Sequence, residues 1–227
     1  MSSVNRFLDH APHAGAAPQD ILRWAYAEFG EKVTIASSFG VEDVALIHMA
    51  SQIFDKPDVF FLDTDLLFQE TYLTAKAVAA RYAIKLRRIH AQLSLADQAG
   101  AYGEELWARD PNRCCNLRKV EPLNRALQGY QAWITGVRRE QSPTRANAQA
   151  VEWDAKHGLI KINPLVVLTT SEVWDWVRGH DVPYNTLHDH GFPSIGCMPC
   201  TRPVKPDEDQ RAGRWAGFNK LECGLHT

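Results

Sequence analysis

The chain has 227 residues, 45% of them hydrophobic and 23% charged, with a formal net charge of −2. This length suits one α/β domain with a segment to spare, and the apolar content is enough for a real core. There is no basic surplus for nucleic acid, no apolar run of about 18 residues to span a membrane, and no secretory core in MSSVNRFLDHAPHAG, so a cytoplasmic chain without nucleic-acid or membrane partners is expected.

In chain order, residues 1–17 are rich in Ala, Ser, His and Pro and are expected to be a flexible N-terminus. A helix is predicted from Pro18 to Phe29, ended by Gly30. KVTIAS is a β-branched buried strand; SFGVED follows it and opens a helix over VEDVALIHMASQI. VFFLDT is a second strand, QETYLTAKAVAARY a helix, IKLRRIH a third strand, AWITGV a fourth and LIKINPL a fifth. TTSEVWDWVRGH is a helix with Thr169 and Glu172 at capping-box spacing. Strands alternating with helices predict an α/β fold with a doubly wound, mostly parallel sheet over a single domain, 18–215. From about Asp181 onward Pro, Gly and His become frequent, which predicts an irregular C-terminal cover, followed by a mobile tail over 216–227.

In such sheets ligands sit outside the carboxyl ends of the strands, where SFGVED, LDTDLLF and GVRREQSPTR fall. Ser37, Ser38, Phe39 and Gly40 are therefore candidate ligand neighbours, with amides able to hold an anion or a nucleotide. The loop lacks the GK[ST] of a Walker sequence. Leu62 is placed either against a nucleotide base or in the plain core, and Gly136 either allows close approach or just ends a strand.

The five cysteines are Cys114, Cys115, Cys197, Cys200 and Cys223. NRCCNLRK and GCMPC together supply four thiolates. Neighbouring side chains on a helix diverge by about 100°, which suits four separate irons better than one zinc. A [4Fe–4S] cluster is thus the leading reading, with zinc and unligated cysteines as the alternatives. Lys119 follows Cys115 by four residues, so on a helix the two share a face. Cys223 is left over, flanked by Glu222 and the backbone freedom of Gly224, with His226 close enough in sequence to influence the thiol.

Read together, SSFGVEDVALIH, FLDTDLLFQETY, RCCNLRKVEPL, ITGVRREQSPTRA, PYNTLHDHGFPSIGCMPCTRP, GRWAGF and KLECGLHT resemble the assimilatory adenylyl-sulfate (APS) reductases, within the wider APS/PAPS reductase family. The resemblance runs from about residue 30 onward. It implies an adenine-nucleotide α-hydrolase-like fold and thiol-dependent reduction of adenosine 5′-phosphosulfate to sulfite and AMP. Cys223 is implied as the nucleophile that carries a sulfonate intermediate. Lys119, Arg145, Arg211 and Arg214 are implied as phosphosulfate contacts, with Ser37, Ser38, Phe39, Gly40, Leu62, Gly136 and His226 as further substrate neighbours. A separate thioredoxin or glutaredoxin is implied as electron donor. Arg138 and Arg139 are divided between structural and functional roles, and a homo-oligomer is compatible with the sequence. One departure is LDTD, where the family usually reads LDTG: Asp65 bears on that loop's backbone and its adenosine contacts. The alternatives are reduction of the 3′-phosphorylated nucleotide or of both nucleotides, a non-catalytic iron–sulfur nucleotide-binding or redox-sensing module, and an ATP-using sulfurtransferase, against which the altered loop argues.

Overall fold

The computed structural model describes residues 7–218, 220 and 222–225. Its centre is a six-stranded sheet of β1 (Val33–Ser37), β2 (Asp58–Asp63), β3 (Lys85–His90), β4 (Ala132–Ile134), β5 (Val151–Asp154) and β6 (Leu159–Ile162). The order is β3-β2-β1-β4-β6-β5, parallel throughout except for β5, which runs antiparallel to β6. The doubly wound, mostly parallel sheet is the one expected; the antiparallel edge strand β5 is an addition that the sequence reading did not contain.

Both faces of the sheet are covered, as a parallel sheet requires. Successive side chains point to opposite faces. Val33 and Ile35 of β1, Val59 and Phe61 of β2, and Ala132 and Ile134 of β4 enter one core. Phe60 of β2, Trp133 of β4 and Leu159 of β6 enter the other, under Leu123 and Ala126.

The larger core is closed by α1 (Pro18–Phe29), α2 (Val41–Ser51) and α3 (Gln69–Arg81). In α1, Pro18 sits in the first turn and Ile21, Leu22, Ala25, Tyr26 and Phe29 form the buried stripe; Gly30, at φ 51, ends the helix. Phe7 and Leu8, in the stretch expected to be loose, pack on this core, with the Phe7 ring 5.0 Å from Phe29.

Two short helices, α4 (Leu95–Tyr102) and α5 (Leu106–Arg109), precede α6 (Pro111–Cys115). The chain then continues through a π-helical segment, Asn116–Val120, into α7 (Glu121–Ala126). Asp110 starts this run by accepting from the Arg113 N–H at 2.9 Å. Pro122 has no N–H to give to a regular α-helix, and the wider turn lies directly before it. The last helix is α8 (Thr170–Gly179), with the expected capping box: Thr169 Oγ1 accepts from the Glu172 N–H, and the Glu172 carboxylate accepts from the Thr169 N–H. No helix among the described residues is long and apolar enough to cross a membrane.

Candidate active site

Strand order reverses between β1 and β4, and the cleft opens at their carboxyl ends. Ser37 lines it from the end of β1, Ser38 and Gly40 from the loop that follows, Leu62 from β2 and Gly136 from the turn after β4. Ser37 Oγ accepts from the Phe39 N–H at 3.0 Å. The Ser38 N–H and hydroxyl both donate to Asp43. Burial pushes the Asp43 carboxyl up to about 6, against the Ser38 donors and with the help of the Glu42 charge. Gly136 lets the turn after β4 pack against the start of α2: a Cβ there would lie 2.5 Å from Asp43 Oδ1 and 2.9 Å from Glu42 Cβ.

Phe39 is the exception among the loop candidates. Its side chain does not line the cleft; it is fully buried, at φ 57, with its ring 5.4 Å from Phe61 in an edge contact. The left-handed backbone turns the ring inward to fill the core, so its expected role beside a ligand is replaced by a packing role. His226 lies outside the described residues.

Four cations line the same cleft: Lys119, Arg145, Arg211 and Arg214. Cys223 lines it too, half-buried. The residues on either side of Cys223 are held. Glu222 accepts from Arg145 Nε at 2.8 Å, Arg145 Nη2 at 2.9 Å and Arg211 Nη2 at 3.3 Å. The Gly224 carbonyl accepts from Lys156 Nζ at 2.6 Å. Burial pushes the Glu222 carboxyl up, but the hydrogen bonds and charge of Arg145, with the charge of Arg211, outweigh it and hold the group below the usual carboxylate range. Arg138 takes no part in the cleft. It is 1% exposed and pairs with Glu42 at 2.8 Å and Glu140 at 2.9 Å. Arg139 donates to the Ala148 carbonyl.

Behind the cleft a small cavity is lined by Cys114, Cys115, Cys197 and Cys200, together with Arg118, Trp215 and the same Lys119. The helical run of α6 brings the first pair; the second arrives on a loop tied to the segment after β2, where the Met198 N–H donates to the Leu66 carbonyl at 2.7 Å. Thr64 Oγ1 lies 3.3 Å from Cys197 Sγ. Burial, then the neighbouring Cys115, Cys197 and Cys200 sulfurs, push the Cys114 thiol up to about 12. Thiols crowded this way are relieved by binding a cation that deprotonates them.

The spacing tests which cation fits. Among the described residues the only set of three or more ligand atoms mutually within 4.8 Å is Asp63, Asp65 and His90, so no three of the four sulfurs are that close. One tetrahedral zinc with Zn–S bonds of about 2.3 Å needs sulfurs about 3.8 Å apart. A four-iron cluster gives each sulfur its own iron and tolerates the wider spread. The donor set fits the cluster.

Asp65 keeps the conformation that a glycine would supply. It sits at φ 56, its N–H donates to Asp63 Oδ1 at 2.8 Å, and its carboxylate pairs with the buried Arg118 at 3.0 Å. Neither Arg118, Thr64 nor Asp43 was singled out in the sequence. Only the D of SFGVED, closing a strand-to-helix loop, carried a local signal for any of them.

A family model described as the phosphoadenosine phosphosulfate reductase domain matches residues 32–203. The chain belongs to that family. It is 50% identical over 208 residues to the adenosine 5′-phosphosulfate reductase of Geobacillus thermodenitrificans, covering 91% of this chain and 88% of that protein. It is 48% identical over 214 residues to the phosphoadenosine 5′-phosphosulfate reductase of Gloeobacter violaceus, covering 93% and 89%. A crystal structure of phosphoadenylyl-sulfate reductase from Candida auris, a phosphate complex, superposes with a TM-score of 0.76 at 30% identity, covering 90% of this chain and 98% of that one. The family match stops before Arg211, Arg214 and Cys223, so for those residues the geometry of the cleft is the independent support.

Proposed function

We propose that the protein reduces adenosine 5′-phosphosulfate to sulfite and AMP, with Cys223 as nucleophile and a thioredoxin or glutaredoxin as electron donor. The observation that carries this reading is the meeting of Cys223 with Lys119, Arg145, Arg211 and Arg214 in one cleft at the sheet's switch point. The substrate's sulfur is electrophilic but surrounded by negative oxygens, so an approaching thiolate is repelled unless fixed cations are already in place. Arginines offer bidentate contact to such oxygens, and Lys119 adds a point charge.

Attack of the Cys223 thiolate on the sulfate sulfur forms an S–S bond and breaks the S–O bond to the phosphate, releasing AMP and leaving a sulfonate on the enzyme. A thiolate of the donor then attacks Cys223 Sγ, sulfite leaves, and the donor's second thiol resolves the mixed disulfide. The dithiol thus supplies both electrons. Ser37, Ser38, Gly40, Leu62 and Gly136 take the nucleoside side of the cleft. Cys114, Cys115, Cys197 and Cys200 would hold a [4Fe–4S] cluster, which when bound supplies a cross-link between the two cysteine pairs and a fixed charge beside the anion site. Lys119, Arg214 and Trp215 line both cavities and connect the two.

A second reading, reduction of the 3′-phosphorylated nucleotide, is favoured by the Gloeobacter relative's name at nearly the same identity. Turnover with both nucleotides and a dithiol protein separates the two. The expected result is sulfite and AMP in equal amounts from adenosine 5′-phosphosulfate, with the 3′-phosphorylated nucleotide the poorer substrate. The opposite preference favours the second reading, and sulfite from neither removes both.

A further inference from the structure

The four cations of the cleft are not equivalent. Arg145 and Arg211 are already occupied by a carboxylate of the chain itself. Both oxygens of Glu222 are used: Oε1 accepts from Arg145 Nε at 2.8 Å, Thr144 Oγ1 at 3.2 Å and Ser142 Oγ at 3.4 Å, and Oε2 accepts from Arg145 Nη2 at 2.9 Å and Arg211 Nη2 at 3.3 Å. The Glu222 side chain is 7% exposed, Arg145 12% and Arg211 16%. This fork is the arrangement arginine offers to a sulfate or phosphate as readily as to a carboxylate. Lys119 and Arg214, by contrast, make no ion pair among the described residues. Among the described residues the Arg214 side chain donates only to neutral oxygens, Ser194 Oγ and the Ile195 carbonyl, and its buried Nε has no hydrogen-bond partner.

We infer that Glu222 is the internal ligand of an oxyanion subsite formed by Arg145, Arg211, Ser142 and Thr144, and that the substrate's phosphosulfate takes this subsite by displacing it. The inference rests on the cleft being the phosphosulfate site proposed above. Glu222 is then a positioning residue. It is joined to Cys223 by one peptide bond, so the tail's upstream anchor and the arriving anion compete for the same donors. Before substrate binds, the carboxylate offsets one of the two positive charges of these part-buried arginines and anchors the residue next to Cys223. When the substrate arrives, with more negative charge than one carboxylate carries, Glu222 leaves. The downstream anchor, Lys156 on the Gly224 carbonyl, remains. Cys223 is thus freed on one side at the moment its target is seated. Gly224, at φ 85, supplies backbone freedom at the adjoining position.

An occupied subsite lowers apparent affinity by the fraction of time it is free. Glu222→Gln keeps the side chain's shape and an acceptor oxygen but removes the charge. In a Cys223→Ser background, which prevents turnover, it is expected to bind adenosine 5′-phosphosulfate about tenfold more tightly by calorimetry. Equal or weaker binding by a variant with wild-type circular dichroism overturns the inference. A second measurement does not depend on the substrate or on activity. In the protein with Cys223 intact, inorganic sulfate is expected to speed alkylation of Cys223 by freeing the tail. In Glu222→Gln the alkylation is expected to be fast from the outset and indifferent to sulfate. Sulfate that leaves wild-type alkylation unchanged, or slows it, contradicts the exchange. A protein that fails to reduce adenosine 5′-phosphosulfate yet shows both sulfate effects separates a wrong functional reading from a correct account of Glu222.

Discussion

Arg138 and Lys119 each sit beside an arginine in the sequence, Arg139 and Arg118, and only their partners distinguish them. Arg138 is itself buried, while its partners are the part-buried Glu42 and the exposed Glu140, so removing it costs its hydrogen bonds and leaves a gap but strands no buried charge. Arg138→Ala is expected to lower the unfolding free energy by about 1–3 kcal/mol in urea titrations. Lys119 faces both cavities without a carboxylate partner among the described residues. Lys119→Ala is expected to leave the urea midpoint nearly unchanged and to lower kcat/KM by about 10²–10³. Asp43 gives a pH signature of its own. Its carboxyl rises from 3.8 unfolded to about 6 folded, so its favourable contribution is complete below the unfolded value and is lost as pH rises through about 6. Asp43→Asn keeps an acceptor for the Ser38 donors and has no charge to bury. Denaturation at pH 4 and pH 7 is expected to show the wild type losing stability relative to the variant over that interval, by up to about 3 kcal/mol.

At the scale of elements, α8 tests how a local signal carries over. Thr169→Ala removes one cap bond and is expected to cost about 1 kcal/mol, a fall of roughly 2–4 °C in Tm by calorimetry. This helix was legible because its cap, its amphipathic stripe and its end all lie within a dozen or so residues. The same holds for α1 and for the alternating strands β1, β2 and β4. Strand β5 was not legible. VEWD is only four residues long, half of them charged, and it pairs only with β6 at the sheet edge, so its conformation is set by a partner more than by its own pattern. The cysteine helix was legible as a motif but not as a shape. The π-helical turn between Cys115 and α7 answers to Pro122 and to the packing of Leu106, Cys114 and Cys197 around Leu66, contacts that connect distant parts of the chain. Phe39 was misplaced for the same kind of reason, since a left-handed residue sends its side chain where sequence spacing does not show.

Across the whole molecule, thiols from three separate segments meet at one end of the sheet. Cys114 and Cys115 come from a helix, Cys197 and Cys200 from the irregular cover, and Cys223 from the tail. The first four lie where these two segments pack together around Leu66 and Leu106. Cys197→Ser is therefore expected to abolish visible absorbance and bound iron in anaerobically purified protein, and to lower Tm by more than the single buried side chain accounts for. Full iron content in that variant would remove Cys197 from the donor set. In the proposed reaction the fifth cysteine, Cys223, is the nucleophile. Incubating the protein with adenosine 5′-phosphosulfate in the absence of any dithiol, followed by peptide mass spectrometry, tests this directly. One SO₃ group is expected on the peptide containing Cys223 and on no other, with one AMP released for each adduct. A sulfonate on a different residue, or sulfite production by Cys223→Ser when a dithiol protein is added, would contradict the account.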